Sequence, residues 1–274
     1  MWNPNQYERF KAERELPFFD LLSMLRRKPQ PGRIVDLGCG TGELTSALHR
    51  ELGADETLGI DASAEMLARA PSVKGMRFEN RNIVDFAPDG TFDVVWSNAA
   101  LQWVGDHPRL FARLTEYVAP GGQLAVQMPA NFDYPTHVVA GQVASESPFL
   151  ESATGDLPSP QPSPEGGRDR SPQSSSEGGR DRPLLAPERY ASLLHELGYT
   201  KQCVRLQVYA HLLPSRDDVV EWVKGSLLTE YRARFSPDLF ELFLARYTER
   251  LLPELADTRP FFYPFKRLLI WGAR

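Results

Sequence analysis

The chain reads as an α/β protein built on a doubly wound, mostly parallel seven-stranded sheet, and three observations predict it. Short apolar runs alternate with helical stretches along the first half of the chain, a pattern that implies a parallel sheet with helices on both faces. The first apolar run, Ile34 to Leu37, ends in three glycines, Gly38, Gly40 and Gly42, ahead of a helical stretch. The second ends in an acid, Asp61, nineteen residues after Gly42.

The elements follow in order. Tyr7, Phe10, Arg14, Phe18, Leu21, Leu22 and Leu25 fall near helical spacing, so residues 7–25 predict an amphipathic helix. Pro29 to Gly32 breaks it. Strands are expected at 33–37, 57–60, 76–79, 92–97 and 123–128, with helices at 43–52, 63–70 and 107–118 between them. Ala119-Pro120-Gly121-Gly122 is a turn signal. Later, Pro187 to Leu197 predicts a helix stopped by Gly198, and Lys201 to His211 a strand. Ser215 suits an N-cap, with Asp217 and Asp218 in the first turn of a helix to about Leu228. Ser236-Pro237 opens another helix to Leu251, and Lys266 to Gly272 is the last strand. Phe261, Phe262, Tyr263 and Phe265 read as core.

Residues 159–182 stand apart. They are two copies of a Ser-Pro-Gln-x-Ser-x-Glu-Gly-Gly-Arg-Asp-Arg unit with no apolar anchor, which predicts a disordered insert. The expected organisation is therefore one domain over 1–274. Within it lie an N-terminal helical lid (1–30), a cofactor-binding core (31–150), a repeat insert (156–183) and a helical cap (213–256) before the final strand. Deleting 159–182 is expected to leave activity nearly intact.

Composition narrows the function. The formal charge is −5, and the one basic run, Arg26-Arg27-Lys28, suits a solvated helix end. Nucleic acid is a poor electrostatic partner. The two cysteines, Cys39 and Cys203, make no disulfide framework, and the five histidines have no metal-binding spacing. No apolar run approaches membrane-spanning length, and Met1 to Asn5 has no signal-peptide pattern. The expectation is a cytoplasmic protein, monomeric or weakly homo-oligomeric, with no metal and no membrane or nucleic-acid partner.

The glycine loop points to a nucleoside ligand. Asp61, at a strand tip, is placed for ribose hydroxyls. A dinucleotide site uses G-x-G-x-x-G to bring a helix N-terminus to pyrophosphate. Here the spacing is G-x-G-x-G, preceded by Asp36. An acid beside the loop suits a cation and opposes phosphate. S-adenosyl-L-methionine carries an ammonium and a sulfonium and no phosphate. The segment 36–42 resembles the first motif of the class I S-adenosylmethionine-dependent methyltransferases, which implies a Rossmann-like fold.

Further stretches resemble the trans-aconitate 2-methyltransferase family: Trp2-Asn3-Pro4 with Tyr7, Phe10, Glu13 and Arg14; Ser97 to Trp103; Gln127 to Asn131; Pro135 to Val138; Glu221 to Val223; and Arg267-Leu268. The resemblance covers nearly the whole chain except residues 156–182. It implies a cytoplasmic enzyme that esterifies one carboxylate of a small tricarboxylic acid. One departure is that Asn82 stands where such enzymes often carry the Asp that accepts the adenine N6 hydrogen; an Asn carbonyl still accepts, and Asp85 is nearby.

The candidate cofactor residues are then Asp36, Gly38, Gly40 and Gly42 for the methionine half, Asp61 and Ala62 for the ribose, Asn82 and Ile83 for the adenine, and Asn98 and Ala99 facing the sulfonium. Asn98, Gln102 and Trp103 are expected to position the reactants. For the acid the candidates are Tyr7, Arg14, Gln102, Trp103, His137 and Arg259, with Lys224, Arg246 and Arg267 as alternatives to Arg259. Three other readings stay open: methylation of a malonyl group on a carrier protein, attack by a hydroxyl, amine or carbon with His137 as base, and cofactor binding without catalysis.

Overall fold

The computed structural model describes residues 15–26, 32–152 and 184–274. A helix over residues 15–24 (α1) is followed by β1 (Arg33–Leu37), α2 (Glu43–Leu52), β2 (Glu56–Asp61), α3 (Ala64–Leu67), β3 (Met76–Asn80) and β4 (Phe92–Asn98). A single 3₁₀ turn, Leu101–Trp103, leads to α4 (His107–Glu116) and β5 (Val118–Pro129). Then come α5 (Pro135–Ala144), α6 (Phe149–Ser152), α7 (Pro187–Glu196), β6 (Lys201–Leu213), α8 (Asp217–Lys224), α9 (Leu228–Arg234), α10 (Pro237–Glu254) and β7 (Phe261–Ala273).

The strands form one seven-stranded sheet in the order β3-β2-β1-β4-β5-β7-β6. The pairs β1·β2, β1·β4, β2·β3 and β4·β5 are parallel, and β7 runs antiparallel to β5. The chain reverses its winding direction at β1 and β4, so the crevice at their C-terminal ends is where such sheets bind ligands.

Strand alternation sorts the core onto two faces. Val35, Leu37, Val95, Leu124 and Val126 pack with Leu110, Phe111 and Leu114 of α4 and Tyr190, Leu193 and Leu194 of α7. Ile34, Val94, Trp96, Ala125 and Leu269 pack on the other face with Phe18 and Leu21 of α1 and Leu48 of α2. Phe18 meets Trp96 edge-on at 5.1 Å. Each fully buried side chain of this size contributes roughly 1.5–3 kcal/mol.

Several boundaries differ from the sequence expectation. The turn signal at 119–122 lies inside β5: Phe92 pairs with Val118 and Val94 with Gln123, so the four residues between leave the ladder as a bulge. Gly198 does stop α7, with its N–H on the His195 carbonyl and that of Tyr199 on Leu194. Ser215 does not act as the expected cap. Its N–H and hydroxyl both donate to Asp218 Oδ2, at 2.9 and 2.7 Å. The helix it opens ends at Lys224, and α9 is separate. Helix α3 is shorter than 63–70, and β7 begins at Phe261 rather than Lys266. Of the aromatics there, Phe261, Tyr263 and Phe265 are buried and Phe262 is exposed.

The chain divides into two compact units, one of residues 1–130, 183–209 and 264–274, the other of 131–182 and 210–263. In the second, Tyr231 and Phe243 stack at 4.7 Å and Phe243 and Tyr247 at 6.1 Å. There the Tyr247 hydroxyl donates to the Thr136 carbonyl at 3.2 Å, and Arg250 grips Glu146 through both terminal guanidinium nitrogens. The predicted repeat insert lies outside the described residues.

Candidate active site

The first strand delivers Asp36 to its C-terminal end, 3% exposed. Its Oδ2 accepts the Thr45 hydroxyl from α2 at 2.6 Å. Its Oδ1 is buried with no hydrogen-bond partner among the described residues. Burial pushes this carboxyl up to about 7, opposed by the Thr45 bond and reinforced by the charge of Asp61.

The glycine loop then turns toward β2. The N–H groups of Gly38 and Cys39 both donate to the Ile60 carbonyl, at 2.8 and 3.0 Å. Gly38 has φ +83°, and a Cβ there would stand 2.2 Å from the Cβ of Ala100, so only glycine fits. At Gly42 a Cβ would meet the Phe78 ring at 2.6 Å. The Gly40 N–H donates to Asp61 Oδ2 at 2.8 Å, and the Ser63 N–H donates to Oδ1 at 2.8 Å. Asp61 thus holds the loop in shape while keeping lone pairs on both oxygens. Ala62 beside it is exposed.

Beyond β3, Asn82 is exposed, and its Oδ1 accepts the Val84 N–H at 2.9 Å. The side chain closes a local turn and retains one lone pair. Ile83 is half-buried against the core, and Arg113 of α4 donates to its carbonyl at 2.9 Å.

The end of β4 carries the densest polar group. Ala99 adopts φ +56°, an uncommon conformation for a residue with a side chain. Its N–H donates to the Gln127 carbonyl at 2.9 Å, and its carbonyl accepts Gln102 Nε2 at 2.7 Å. Asn98 Oδ1 and Gln102 Oε1 are buried with no partner among the described residues. Trp103, next along the turn, is 58% exposed.

A residue missed by sequence reasoning supports that turn. His107 is 1% exposed. Its Nε2 faces the carbonyls of Leu101 and Val104 at 3.1 and 2.9 Å, and its Nδ1 bonds the Tyr190 hydroxyl. Two carbonyls at Nε2 require the N–H there, so Nδ1 accepts from Tyr190. Burial lowers its pKa. In sequence it was one histidine among five.

Tyr7 and Arg14 lie outside the described residues. His137 and Arg259 belong to the second unit. His137 Nδ1 lies 3.0 Å from the Thr136 hydroxyl, with its ring edge-on to Phe132, and Arg259 is exposed. The first unit therefore gathers Asp36, Gly38, Gly40, Gly42, Asp61, Ile83, Asn98, Ala99 and Gln102 around the tips of β1, β2 and β4. No cluster of three or more His, Cys, Asp or Glu able to hold a metal occurs among the described residues.

The orphaned atoms test the ligand. Asp36 Oδ1, Asn98 Oδ1 and Gln102 Oε1 are all acceptors. They fit a ligand that brings donors and positive charge, as the ammonium and sulfonium of S-adenosylmethionine do, and would repel a pyrophosphate. This sheet order, with an acid-flanked glycine loop at the first strand tip, defines a methyltransferase of the S-adenosylmethionine-dependent class.

Comparison with known proteins agrees. Residues 9–202 match the family model described as a methyltransferase domain. The chain is 38% identical to the trans-aconitate 2-methyltransferase of Deinococcus radiodurans over 275 residues, covering 100% of this chain and 98% of that protein. It is 33% identical to the Mycobacterium tuberculosis protein of the same name, at 100% and 98% coverage. The chain belongs to this trans-aconitate 2-methyltransferase family. Among solved structures, the YcgJ protein of Bacillus subtilis shares the fold with TM-score 0.55 at 13% identity, covering 94% of this chain and 97% of that one. Haemonchus contortus phosphoethanolamine N-methyltransferase 2 does so with TM-score 0.50 at 16% identity, covering 96% and 56%.

Proposed function

We propose that the protein esterifies one carboxylate of a small tricarboxylic acid, trans-aconitate, using S-adenosylmethionine. The observation that carries this reading is the set of orphaned acceptors, Asp36 Oδ1, Asn98 Oδ1 and Gln102 Oε1, at the tips of β1 and β4 and on the turn that follows β4. The names of the full-length relatives support the choice of acid.

The bound cofactor supplies an electrophilic methyl group on a positively charged sulfur. The chain's residues have the remaining tasks. Asp36, held by Thr45, takes the ammonium. Asp61 takes the ribose hydroxyls, and Asn82 and Ile83 flank the adenine. Asn98, Ala99 and Gln102 line the reacting end, with Trp103 beside them to cover the acid. Tyr7, Arg14, His137 and Arg259 remain candidates for the acid's other carboxylates, a task for which cationic and hydroxyl donors are suited.

No general base is required, because a free carboxyl is ionised well below pH 7. His107 is not available as one, since both of its ring nitrogens are bonded. Alignment of the two reactants alone is worth roughly 7–11 kcal/mol. The reading takes the enzyme to act in the cytoplasm, as a monomer or weak homo-oligomer, without nucleic acid. No helix among the described residues is long and apolar enough to cross a membrane.

Incubation with methyl-labelled cofactor and a panel of di- and tricarboxylic acids tests the proposal. Label is expected in a monomethyl ester of trans-aconitate. Cofactor binding with no acid methylated would refute it.

A further inference from the structure

Gln127 stands near the end of β5, 1% exposed, and its Nε2 has no hydrogen-bond partner among the described residues. A buried donor left unpaired is costly, and such a group in a native fold calls for an explanation. Its place in the sheet supplies one. Gln127 is the register partner of Asn98 on β4. Strand alternation puts Asp36 with Ile34, Asn98 with Trp96 and Gln127 with Ala125, on the face that α1 and α2 cover. Asn98 and Gln127 therefore stand side by side across β4 and β5, with about 4.8 Å between the strands, and Asp36, whose register partner on β4 is Trp96, lies two residues back on the same face.

The polarity of this face changes from strand to strand. Asp36 and Asn98 offer orphaned acceptors, whereas Gln127 offers an orphaned donor. Acceptors receive a cation and a donor receives an anion, so the face is complementary to a cation held toward Asp36 and Asn98 and a carboxylate beside it at Gln127. We infer that Gln127 donates its carboxamide N–H to the carboxylate that receives the methyl group. This rests on the function proposed above and adds a residue to it.

The neutrality of the donor fits the chemistry. A carboxylate oxygen supplies the electron pair of the new O–C bond while the C–S pair leaves with sulfur, so an anion and a cation become a neutral ester and a neutral thioether with no proton moved. A group that binds the anion strongly in the ground state loses that interaction as charge disappears, and this raises the barrier. An arginine would add a full opposing charge and a bidentate grip on the carboxylate, both lost as its charge disappears. Gln127 carries no charge and orients the oxygen at a smaller penalty.

Two variants test it, Gln127→Glu and Gln127→Met. The first keeps the shape, removes the donor and adds a repelling charge; the second keeps the volume and carries no charge to bury. For each, KM and kcat for trans-aconitate, the S-adenosylmethionine dissociation constant by calorimetry, and the melting temperature are measured. The expected result is an acid KM raised about tenfold or more in Gln127→Glu and several-fold in Gln127→Met. The cofactor constant is expected to stay within about twofold in Gln127→Met. An unchanged acid KM in both variants of an active enzyme would overturn the inference and leave the proposed function standing. A cofactor constant in Gln127→Met that weakens by the same factor as the acid KM would overturn it too, by showing a general structural role. A wild-type enzyme that binds the cofactor but methylates no acid would remove the proposed function and this inference together.

Discussion

His107 and Tyr190 share a buried hydrogen bond that ties the start of α4 to α7, while the opposite edge of the imidazole holds the two carbonyls flanking Gln102 and Trp103. Replacing His107 by Leu strands the Leu101 and Val104 carbonyls and the tyrosine hydroxyl. The expected cost is about 2–4 kcal/mol, read as a lowered melting temperature, with kcat falling because the turn loses its support. The pH dependence has a definite sign. Burial lowers the folded-state pKa below the ordinary value of 6.5, so the contribution of His107 is complete above that value and is lost as pH falls through the folded pKa. The stability gap between wild type and the Leu variant should narrow on acidification; a gap constant from pH 8 to 5 would contradict this.

Asp36 has the opposite sign. Its folded-state carboxyl is pushed up to about 7 from 3.8. Its contribution is complete below pH 4 and is lost as pH rises through 7, because ionisation then leaves a poorly solvated charge in the ligand-free fold. Asp36→Asn keeps an acceptor for Thr45 and removes that charge. At pH 8 the ligand-free variant should melt several degrees higher than wild type, yet bind S-adenosylmethionine at least tenfold more weakly. In the wild type, kcat/KM for the cofactor should rise through about pH 7, whereas kcat stays flat from 6 to 9, since a bound cation keeps the carboxylate ionised. Kinetics on both proteins across that range give the answer.

Asp61→Ala removes the acceptor for the Gly40 and Ser63 N–H groups as well as the proposed ribose contact. The cofactor dissociation constant should rise about tenfold, or roughly 1.4 kcal/mol. Calorimetry that finds the same affinity in both proteins would take Asp61 out of the site.

Trp103 is 58% exposed, so it contributes little to the core. Trp103→Ala should change stability by less than about 1 kcal/mol and raise the acid KM about tenfold, with cofactor affinity unaltered. A marked loss of melting temperature with no change in KM would assign the indole to packing instead.

Much of the first unit was readable before the fold was known, because its signals are local. Apolar runs mark β1, β2 and β4, and the glycines with Asp36 and Asp61 mark the loop between them. Helix α5 was invisible for a physical reason: Pro135–Ala144 is mostly apolar and small, so no amphipathic period marks it, and Val138 is even exposed. The break between α8 and α9 depends on packing inside the second unit. Within the site, sequence spacing located the acids and the amides at the strand tips. It could not reveal His107 or the unpaired nitrogen of Gln127, since both acquire meaning only when distant segments meet. Asn82 was legible as a strand-end polar group, but its use in closing its own turn was not.

The near-contact between the glycine loop and Ala100 has an evolutionary corollary. The loop that is to seat the methyl donor and the turn that is to meet the acceptor are pressed together with no room for one added carbon at Gly38. Neither can drift without disturbing the other. A descendant of this scaffold that replaced Gly38 would have to move the Ala100 turn as well, so a new acceptor is reached more readily through parts of the chain that do not touch Gly38.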